Sequence, residues 1–195
     1  MCASNTAGSV GETVFVDPWQ HPTYERKSYK TAGGCSLITS IAIWGNHTMS
    51  KENNSCIHGV SIRTTPETLW EALTTPDLTR KYWFGYRLEA DWSVGSTWKL
   101  TSPEGQVHAA GEIVEIDRSR RIVLTWQDEI RLELTAEGYS HCTIDLEPKE
   151  DAVMLTITQS IDHSDSKLIA LVATSWPKVV SNLKSFVEMG DEHRL

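Results

Sequence analysis

The chain has 195 residues, of which 39% are hydrophobic and 23% are charged, a composition typical of a soluble protein with one well-buried core. Its formal net charge of -8 argues against a nucleic-acid partner, because neutralising phosphates requires clustered Lys and Arg, and the sequence has no such cluster. Four cysteines (Cys2, Cys35, Cys56 and Cys142) are scattered without a C-x-x-C pair. This excludes zinc and thioredoxin-like motifs and predicts free thiols in a reducing cytoplasm.

Residues 1–48 mix Gly, Ser, Thr and Pro without a sustained apolar period. Their one apolar run, Cys35 to Trp44, is far shorter than the roughly 20 residues of a membrane-spanning helix. The run also lacks the small-residue cleavage site of a signal peptide. We therefore expect residues 1–48 to be a disordered or non-native extension and Met49 to be the functional start. The folded domain is then predicted to cover residues 49–195.

The organised pattern begins with a predicted strand from Ile57 to Arg63. Thr65-Pro66-Glu67 follows and predicts a helix start, with Thr65 as the N-cap and Pro66 at the first helical position, where its missing N–H is tolerated. Leu69, Trp70 and Leu73 fall on one face of this helix, which we expect to be buried. A second short helix is predicted to start at Thr75-Pro76-Asp77 and to run toward Tyr82.

Six further strands are predicted from runs that alternate apolar and polar residues between turn signals. In Ile122-Val123-Leu124-Thr125-Trp126, for example, every second residue is large and apolar. Such alternation is typical of antiparallel strands with one buried face. The six runs are Tyr86–Asp91, Thr97–Thr101, Gly111–Asp117, Ile122–Trp126, His141–Glu147 and Val153–Gln159.

A long C-terminal helix is predicted from Ser164 to Gly190. Its apolar residues recur at steps of three and four, which places them on one stripe of a helix of 3.6-residue period. They are Leu168, Val172, Trp176, Val179, Leu183 and Phe186. Ser164 and Asp165 are N-cap candidates, and Gly190 is a candidate C-terminal residue. Pro177 predicts a kink, or a restart near Thr174, because it lacks the N–H that would bond to Ala173.

These elements together predict an α+β fold. A curved antiparallel sheet wraps around the long C-terminal helix, with two short helices after the first strand, because this arrangement buries the apolar face of both the sheet and the helix.

Several short motifs in this order resemble the START-like (SRPBCC) superfamily. Within it, the chain is most similar to the family named for the C-terminal domain of the activator of Hsp90 ATPase. The resemblance covers residues 57–189, and its strength is the spacing of many weak motifs. The motifs are Thr65-Pro66-Glu67-x-x-Trp70-x-Ala72-Leu73-Thr74, Tyr82-Trp83, Gly111-x-Ile113-x-Glu115-Ile116-Asp117, Arg121-Ile122-Val123-x-Thr125-Trp126, Ser175-Trp176-Pro177 and Leu183-Lys184.

The resemblance implies a helix-grip fold with a hydrophobic cavity between the sheet and the last helix. Small members of that family are proposed to bind lipids, polyketides or other hydrophobic molecules, and some relatives are cyclases or hydrolases. Co-chaperone activity in the family depends on a separate N-terminal domain that this sequence does not show.

Six residues are candidates for lining such a cavity. Eight tryptophans invite a binding role, since an indole combines a large apolar face with one N–H donor, although Trp70 is better explained as plain core. Trp98 and Trp126 fall on inward strand faces, Trp176 on the helix opposite, and Trp83 at the mouth before Gly85. Filling a core and lining a cavity use the same residue types, so both interpretations stay open. The predicted ligand-binding residues are Trp83, Trp98, His108, Trp126, Trp176 and Val180.

For acid–base chemistry the candidates are His108, His141, Asp128 and Glu129. Catalysis needs a base beside a nucleophile or a polarised water, and no nucleophile motif such as G-x-S-x-G occurs. Glu147, Glu150 and Asp151 flank a turn and are interpreted as a solvated hairpin. We therefore predict no catalytic residue, no metal site and no cofactor.

Three functions remain open. The first is the binding of a hydrophobic small molecule in the cavity without catalysis. The second is a cyclase or hydrolase that uses the same cavity, and the third is a chaperone-interaction module in a stress response. Neither a nucleic-acid partner nor a membrane span is expected.

Overall fold

A computed structural model describes residues 47–49 and 54–192, which form eight strands and four helices. The strands are β1 (His47–Met49), β2 (Ser55–Ile62), β3 (Arg87–Ala90), β4 (Thr97–Thr101), β5 (Val107–Asp117), β6 (Arg121–Asp128), β7 (Ser140–Pro148) and β8 (Val153–Ser160). The helices are α1 (Pro66–Thr74), α2 (Pro76–Tyr82), α3 (Leu132–Thr135) and α4 (Lys167–Glu192).

The strands form one antiparallel sheet in the order β1-β2-β8-β7-β6-β5-β4-β3. Register shifts between Leu100 and Thr101 in β4 and between Ile113 and Glu115 in β5 mark irregularities in the ladder. Irregularities of this kind bend a strand and increase its local twist. The predicted α+β helix-grip fold, with a curved antiparallel sheet around a long C-terminal helix, is confirmed.

The predicted helix pair after β2 is confirmed, and α1 begins at Pro66 as the sequence predicts. The Thr65 hydroxyl accepts a hydrogen bond from the Thr68 N–H at 3.2 Å, so it caps α1 as the sequence predicts. Leu69, Trp70 and Leu73 are buried. Thr75 then ends α1 and begins α2 without an intervening loop, because Pro76 cannot continue the first helix but can open the second.

Helix α4 confirms the predicted buried stripe, but its ends differ from the prediction. It begins at Lys167 because the N-cap is Ser166, rather than Ser164 or Asp165. The Ser166 hydroxyl accepts a hydrogen bond from the Ile169 N–H. The helix continues past Gly190 to Glu192, since a glycine costs a helix only about 1 kcal/mol and does not by itself end it. It also runs through Pro177 without a restart near Thr174.

Burial on both sides of the proline explains this continuity. Trp176 precedes Pro177 and Val179 follows it, and their side chains are only 1% and 2% exposed. Packing of an amphipathic face provides most of a helix's stability, and here it offsets the one hydrogen bond that Pro177 cannot make. Helix α4 lies against β2 and β8 and contacts the other three helices.

The predicted domain boundary falls inside β1, which pairs with β2 through the His47–His58 to Met49–Cys56 register. Residues 1–46 and 50–53 lie outside the described part of the chain, as do Cys2, Cys35 and the apolar run to Trp44. The disordered or non-native extension and the start at Met49 therefore stay predictions. Within residues 54–192, none of the helices combines the length and the apolar character that a membrane crossing requires.

Candidate functional site

Four tryptophans from four parts of the chain meet between the sheet and α4. Trp98 comes from β4, Trp126 from β6 and Trp176 from α4, while Trp83 directly follows α2. The ring centroid of Trp126 lies 4.7 Å from that of Trp98, 5.8 Å from that of Trp176 and 6.4 Å from that of Trp83. All four side chains are buried. We call this group the tryptophan cluster, and Trp126 is at its centre.

The absence of a side chain at Gly111 allows part of this packing. Gly111 pairs with Trp98 across β4 and β5, and a Cβ on it would overlap the Thr125 carbonyl and lie 2.8 Å from Trp98 Nε1. The indole N–H of Trp98 instead donates to that carbonyl at 2.8 Å. Glycine in a strand often marks such a close approach.

A buried chain of hydrogen bonds joins Trp176 to the sheet. Its indole N–H donates to Oε1 of Gln159 at 2.9 Å, and Nε2 of Gln159 donates to the hydroxyl of Ser140 at 2.9 Å. Ser140 in turn donates to the Trp126 carbonyl at 3.1 Å. Satisfied buried polar networks of this kind specify one packing arrangement, because breaking them leaves an unpaired group in a low-dielectric interior.

Trp83 differs from Trp98 and Trp176 because its buried indole N–H has no hydrogen-bond partner. An unpaired buried donor typically costs about 1–3 kcal/mol. The ring is directed inward by a tight turn in which Phe84 and Gly85 both have positive φ, of 50° and 86°, and the Tyr86 N–H bonds back to the Trp83 carbonyl at 2.8 Å. Trp83 is 2% exposed, so it lies in the interior and not at the predicted mouth.

A crevice of about 10 Å³ lies beside the tryptophan cluster, at the end of the sheet where α4 begins. Leu100, Ala109 and Trp126 form its sheet side, and Leu168 and Leu171 form its helix side. Its polar lining comes from His108, Asp128 and Arg131. We call this space the helix-grip crevice. Apolar walls with a few polar groups are characteristic of small-molecule sites.

The polar groups of the helix-grip crevice are held in place by specific contacts. The Tyr86 hydroxyl lies 3.3 Å from Nδ1 of His108, and the two rings meet edge to face. Asp128 is 5% exposed; its carboxylate accepts the N–H of Arg131 at 2.7 Å and pairs with the guanidinium of that residue at 3.0 Å. The buried carboxylate is thus compensated by its partner, and the arrangement is suited to binding a largely neutral molecule.

Glu137 fixes the start of the helix side. Its carboxylate accepts the N–H groups of Lys167 and Leu168 at 2.9 and 3.3 Å and the hydroxyl of Ser166. Partial burial opposes ionisation of this carboxyl, but these hydrogen bonds and nearby His163 lower its pKa below the usual range. A carboxylate at a helix N-terminus is also favoured by the helix dipole. The first turn of α4 is therefore tied to the connection between β6 and β7.

The structure brings five of the six predicted site residues into one region. Trp126 and His108 line the helix-grip crevice, whereas Trp83, Trp98 and Trp176 contact the Trp126 ring in the cluster without lining the crevice. Val180 is buried on α4, but it does not line the crevice and is not part of the tryptophan cluster.

Among the acid–base candidates, Asp128 lines the crevice with His108, while His141 and Glu129 are exposed. Sequence reasoning missed Gln159 and Arg131. Gln159 could have been found, because it is the fourth inward position of β8 after Val153, Leu155 and Ile157. Within residues 54–192 there is no group of three or more His, Cys, Asp or Glu residues placed to hold a metal ion.

Two larger grooves, of about 680 and 600 Å³, lie along β3 and β4. Several of their charged side chains form ion pairs at the surface: Arg87 lies 3.9 Å from Asp77, and Lys99 lies 3.2 Å from Glu89. Such pairs are typical of a solvated face and contribute little to stability. The helix-grip crevice is therefore the better candidate site.

Residues 63–188 match the family model described as "Activator of Hsp90 ATPase homolog 1-like protein". No curated protein matches the sequence.

Solved structures match at low identity. A protein from Mesorhizobium loti has a TM-score of 0.60 and 20% identity over 69% of this chain and 97% of its own. The Aha1 dimer from Colwellia psychrerythraea has a TM-score of 0.57 and 22% identity over 70% and 97%. An HSP90 activator from Plasmodium falciparum has a TM-score of 0.56 and 21% identity over 69% and 96%. At these identities the likeness shows the shared fold.

Proposed function

Because the chain belongs to the Activator of Hsp90 ATPase homolog 1-like family, whose members share the helix-grip fold, we propose that it binds a small hydrophobic molecule in the helix-grip crevice. The observation that carries this proposal is the mixed lining of the crevice, with apolar walls from the sheet and α4 and polar groups at His108, Asp128 and Arg131. We propose that it binds this molecule without catalysing a reaction and that it is located in the cytoplasm. The free buried thiols of Cys56 and Cys142 support this location, because thiols stay reduced in the cytoplasm.

Binding requires the crevice to widen. Its volume of about 10 Å³ is far below the roughly 300–1,000 Å³ of ordinary small-molecule sites. We propose that the connection between β6 and β7, residues 129–139, moves to open the crevice, because it carries Arg131 and the exposed side chains of Leu132 and Tyr139. Since Glu137 ties this connection to the first turn of α4, that turn is expected to move with it. A ligand then selects the open form in proportion to its differential affinity for it.

The proposal is tested with a substitution that fills the crevice from its sheet side. Ala109→Leu places a larger side chain in the lining, whereas Ala110→Leu adds the same atoms at the next strand position, which points to the opposite face. Cumene, a small apolar probe, is titrated by calorimetry against the full chain and both variants. We expect saturable binding to the parent and to Ala110→Leu, and loss of binding in Ala109→Leu.

The added side chain typically costs about 1–3 kcal/mol through overpacking, so thermal melts must show that Ala109→Leu is folded. Equal cumene affinity in all three proteins would show that the probe binds elsewhere. Absence of binding in the parent would contradict the proposed function itself.

A second candidate function is interaction with an Hsp90-type chaperone. The family description supports it, and so does a group of exposed apolar side chains around α3: Ile130, Leu132 and Tyr139 are 37%, 86% and 55% exposed. Adjacent exposed apolar residues are a feature of protein-interaction sites.

This candidate is tested with Leu132→Asp in a chaperone pull-down. Val94→Asp is the matched control, because Val94 is also exposed, at 64%, but lies in the turn between β3 and β4. We expect Leu132→Asp to weaken chaperone capture and Val94→Asp to leave it unchanged. Equal chaperone capture by both variants and the parent would show that the exposed side chains around α3 are not the contact surface.

A further inference from the structure

Among the tryptophans of residues 54–192, Trp83 is the one whose indole N–H is fully buried without a hydrogen-bond partner. Trp92, Trp98 and Trp176 donate their N–H groups to Thr74 O, Thr125 O and Gln159 Oε1 at 2.8, 2.8 and 2.9 Å. The Trp83 N–H is buried and has no such acceptor. Buried donors are nearly always paired in folded proteins, so each exception calls for a specific explanation.

The position of Trp83 links this donor to the helix-grip crevice. Its ring stacks against that of Trp126 at 6.4 Å, with 19° between the planes, and lies 5.3 Å from the ring of Trp176. Trp126 also lines the crevice. A molecule that enters by displacing the Trp126 ring therefore comes up against the rings packed on it, and Trp83 is the one of these whose N–H is unpaired.

We infer that Trp83 provides the hydrogen-bond donor for a ligand of the helix-grip crevice, and that this ligand is an apolar molecule carrying a neutral acceptor oxygen, such as a ketone, ester or ether. The inference rests on the proposed binding function and narrows its ligand class. A pure hydrocarbon leaves the N–H unpaired, whereas an acceptor oxygen pairs it inside a low-dielectric site where the bond is strong.

The neutrality of the acceptor follows from the surrounding charges. Asp128 and Arg131, the two charged groups that line the crevice, pair with each other at 3.0 Å. The tryptophan cluster itself contains no charged group. The guanidinium of Arg131 is already engaged by Asp128, and His108 contacts the Tyr86 hydroxyl. A carboxylate placed beside Trp83 would therefore have to compete for these groups to offset the loss of its hydration, so a neutral oxygen is favoured over an anion.

The experiment compares two small probes of the same shape. Cumene and acetophenone differ chiefly in the replacement of an isopropyl by an acetyl group, and only acetophenone has an acceptor oxygen. Calorimetric dissociation constants are measured for the full chain, for Trp83→Phe and for Trp98→Phe, whose N–H already has the Thr125 carbonyl as acceptor. Comparing ratios between proteins cancels the cost of removing the carbonyl from water.

We expect the preference for acetophenone over cumene to fall about fivefold in Trp83→Phe and to stay unchanged in Trp98→Phe. A second measurement does not need the variants to be stable. In ¹⁵N-labelled parent protein, acetophenone should shift the Trp83 indole N–H resonance downfield and cumene should not, with the resonance assigned by multidimensional spectra of the parent itself.

Other results would contradict either the role of Trp83 or the binding function as a whole. If both probes bind but the preference survives in Trp83→Phe, or the Trp83 resonance responds equally to both, the inference is wrong while the proposed function stands. The same conclusion follows if the N–H is paired only with a buried water that acetophenone does not displace. If neither probe binds the parent, the proposed function fails and the inference fails with it.

Discussion

Trp176 donates its indole N–H to Oε1 of Gln159 at 2.9 Å, and both side chains are almost fully buried. The bond connects the centre of the long helix α4 to the inner face of strand β8. Gln159 then holds Ser140 on β7 through its other amide atom. One polar side chain thus fixes how the helix sits against two strands, in a core that is largely apolar.

The first prediction concerns Gln159→Leu. This change keeps a side chain of similar size but leaves the Trp176 N–H without its acceptor, so we expect the free energy of unfolding to fall by about 1–3 kcal/mol. Urea denaturation measures it. Gln106→Leu is the control, because Gln106 is exposed, and its effect should stay within about 0.5 kcal/mol. Equal effects of the two substitutions would mean that the buried network contributes nothing measurable.

Much of the fold could be predicted because its signals are local. Thr65 and Pro66 mark the start of α1 by cap chemistry alone, and the alternation in β6 identifies its buried face. The four-residue helix α3 was missed, since four residues are too few to show a helical period. The end of α4 was misplaced because Gly190 permits a helix end without requiring one.

The site could be predicted only in part. Periodicity places Trp98, Trp126 and Trp176 on inward faces. Whether these side chains fill the core or line a cavity depends on their rotamers and on packing between several elements, and the sequence pattern of one strand or helix does not show this. Trp83 was expected at a mouth because of the following Gly85. The positive φ at Phe84 and Gly85 turns the chain back on itself instead and buries the ring.

The second prediction concerns pH. Because hydrogen bonds lower the pKa of Glu137 in the folded protein, its charged form stabilises the fold above the usual glutamate pKa of about 4.3, and this contribution is lost as pH falls through the lowered value. Glu137→Gln should therefore cost about 1 kcal/mol at pH 7, a typical capping contribution. The difference from the parent should shrink below about pH 4.3 and vanish at lower pH.

Thermal melts of the parent and Glu137→Gln between pH 7 and pH 2.5 provide the measurement. Glu150→Gln is the control, since Glu150 is exposed in the turn between β7 and β8, and it should change stability at pH 7 by less than about 0.5 kcal/mol. A gap for Glu137→Gln that widens on acidification would contradict the assigned direction of the pKa shift.

The third prediction concerns the buried thiols. Burial raises the pKa of Cys56 to about 11, against a smaller opposing contribution from a backbone hydrogen bond of Gln159, and burial raises the pKa of Cys142 as well. Both thiols are therefore protonated at pH 8 and shielded from reagents. In a variant with Cys2→Ser and Cys35→Ser, a disulfide reagent such as DTNB should label neither thiol in the native protein and both in 6 M guanidinium. Rapid labelling of the native protein would show that the core around β2 and β7 opens readily.

The last prediction compares two glycines in strands. A Cβ at Gly111 would overlap the Thr125 carbonyl and approach Trp98 Nε1 to 2.8 Å, so Gly111→Ala must push apart β5 and β6 or expel the indole. We expect a loss of more than about 4 kcal/mol, which is exceptional for a single substitution, or failure to fold. At Gly59 the nearest atom to an added Cβ is Met154 Sδ at 3.9 Å, an ordinary van der Waals contact. Gly59→Ala should therefore change stability by less than about 1 kcal/mol. Chemical unfolding of both variants makes the comparison, and a mild effect of Gly111→Ala would mean that the Trp98 indole does not cross β5 at this point.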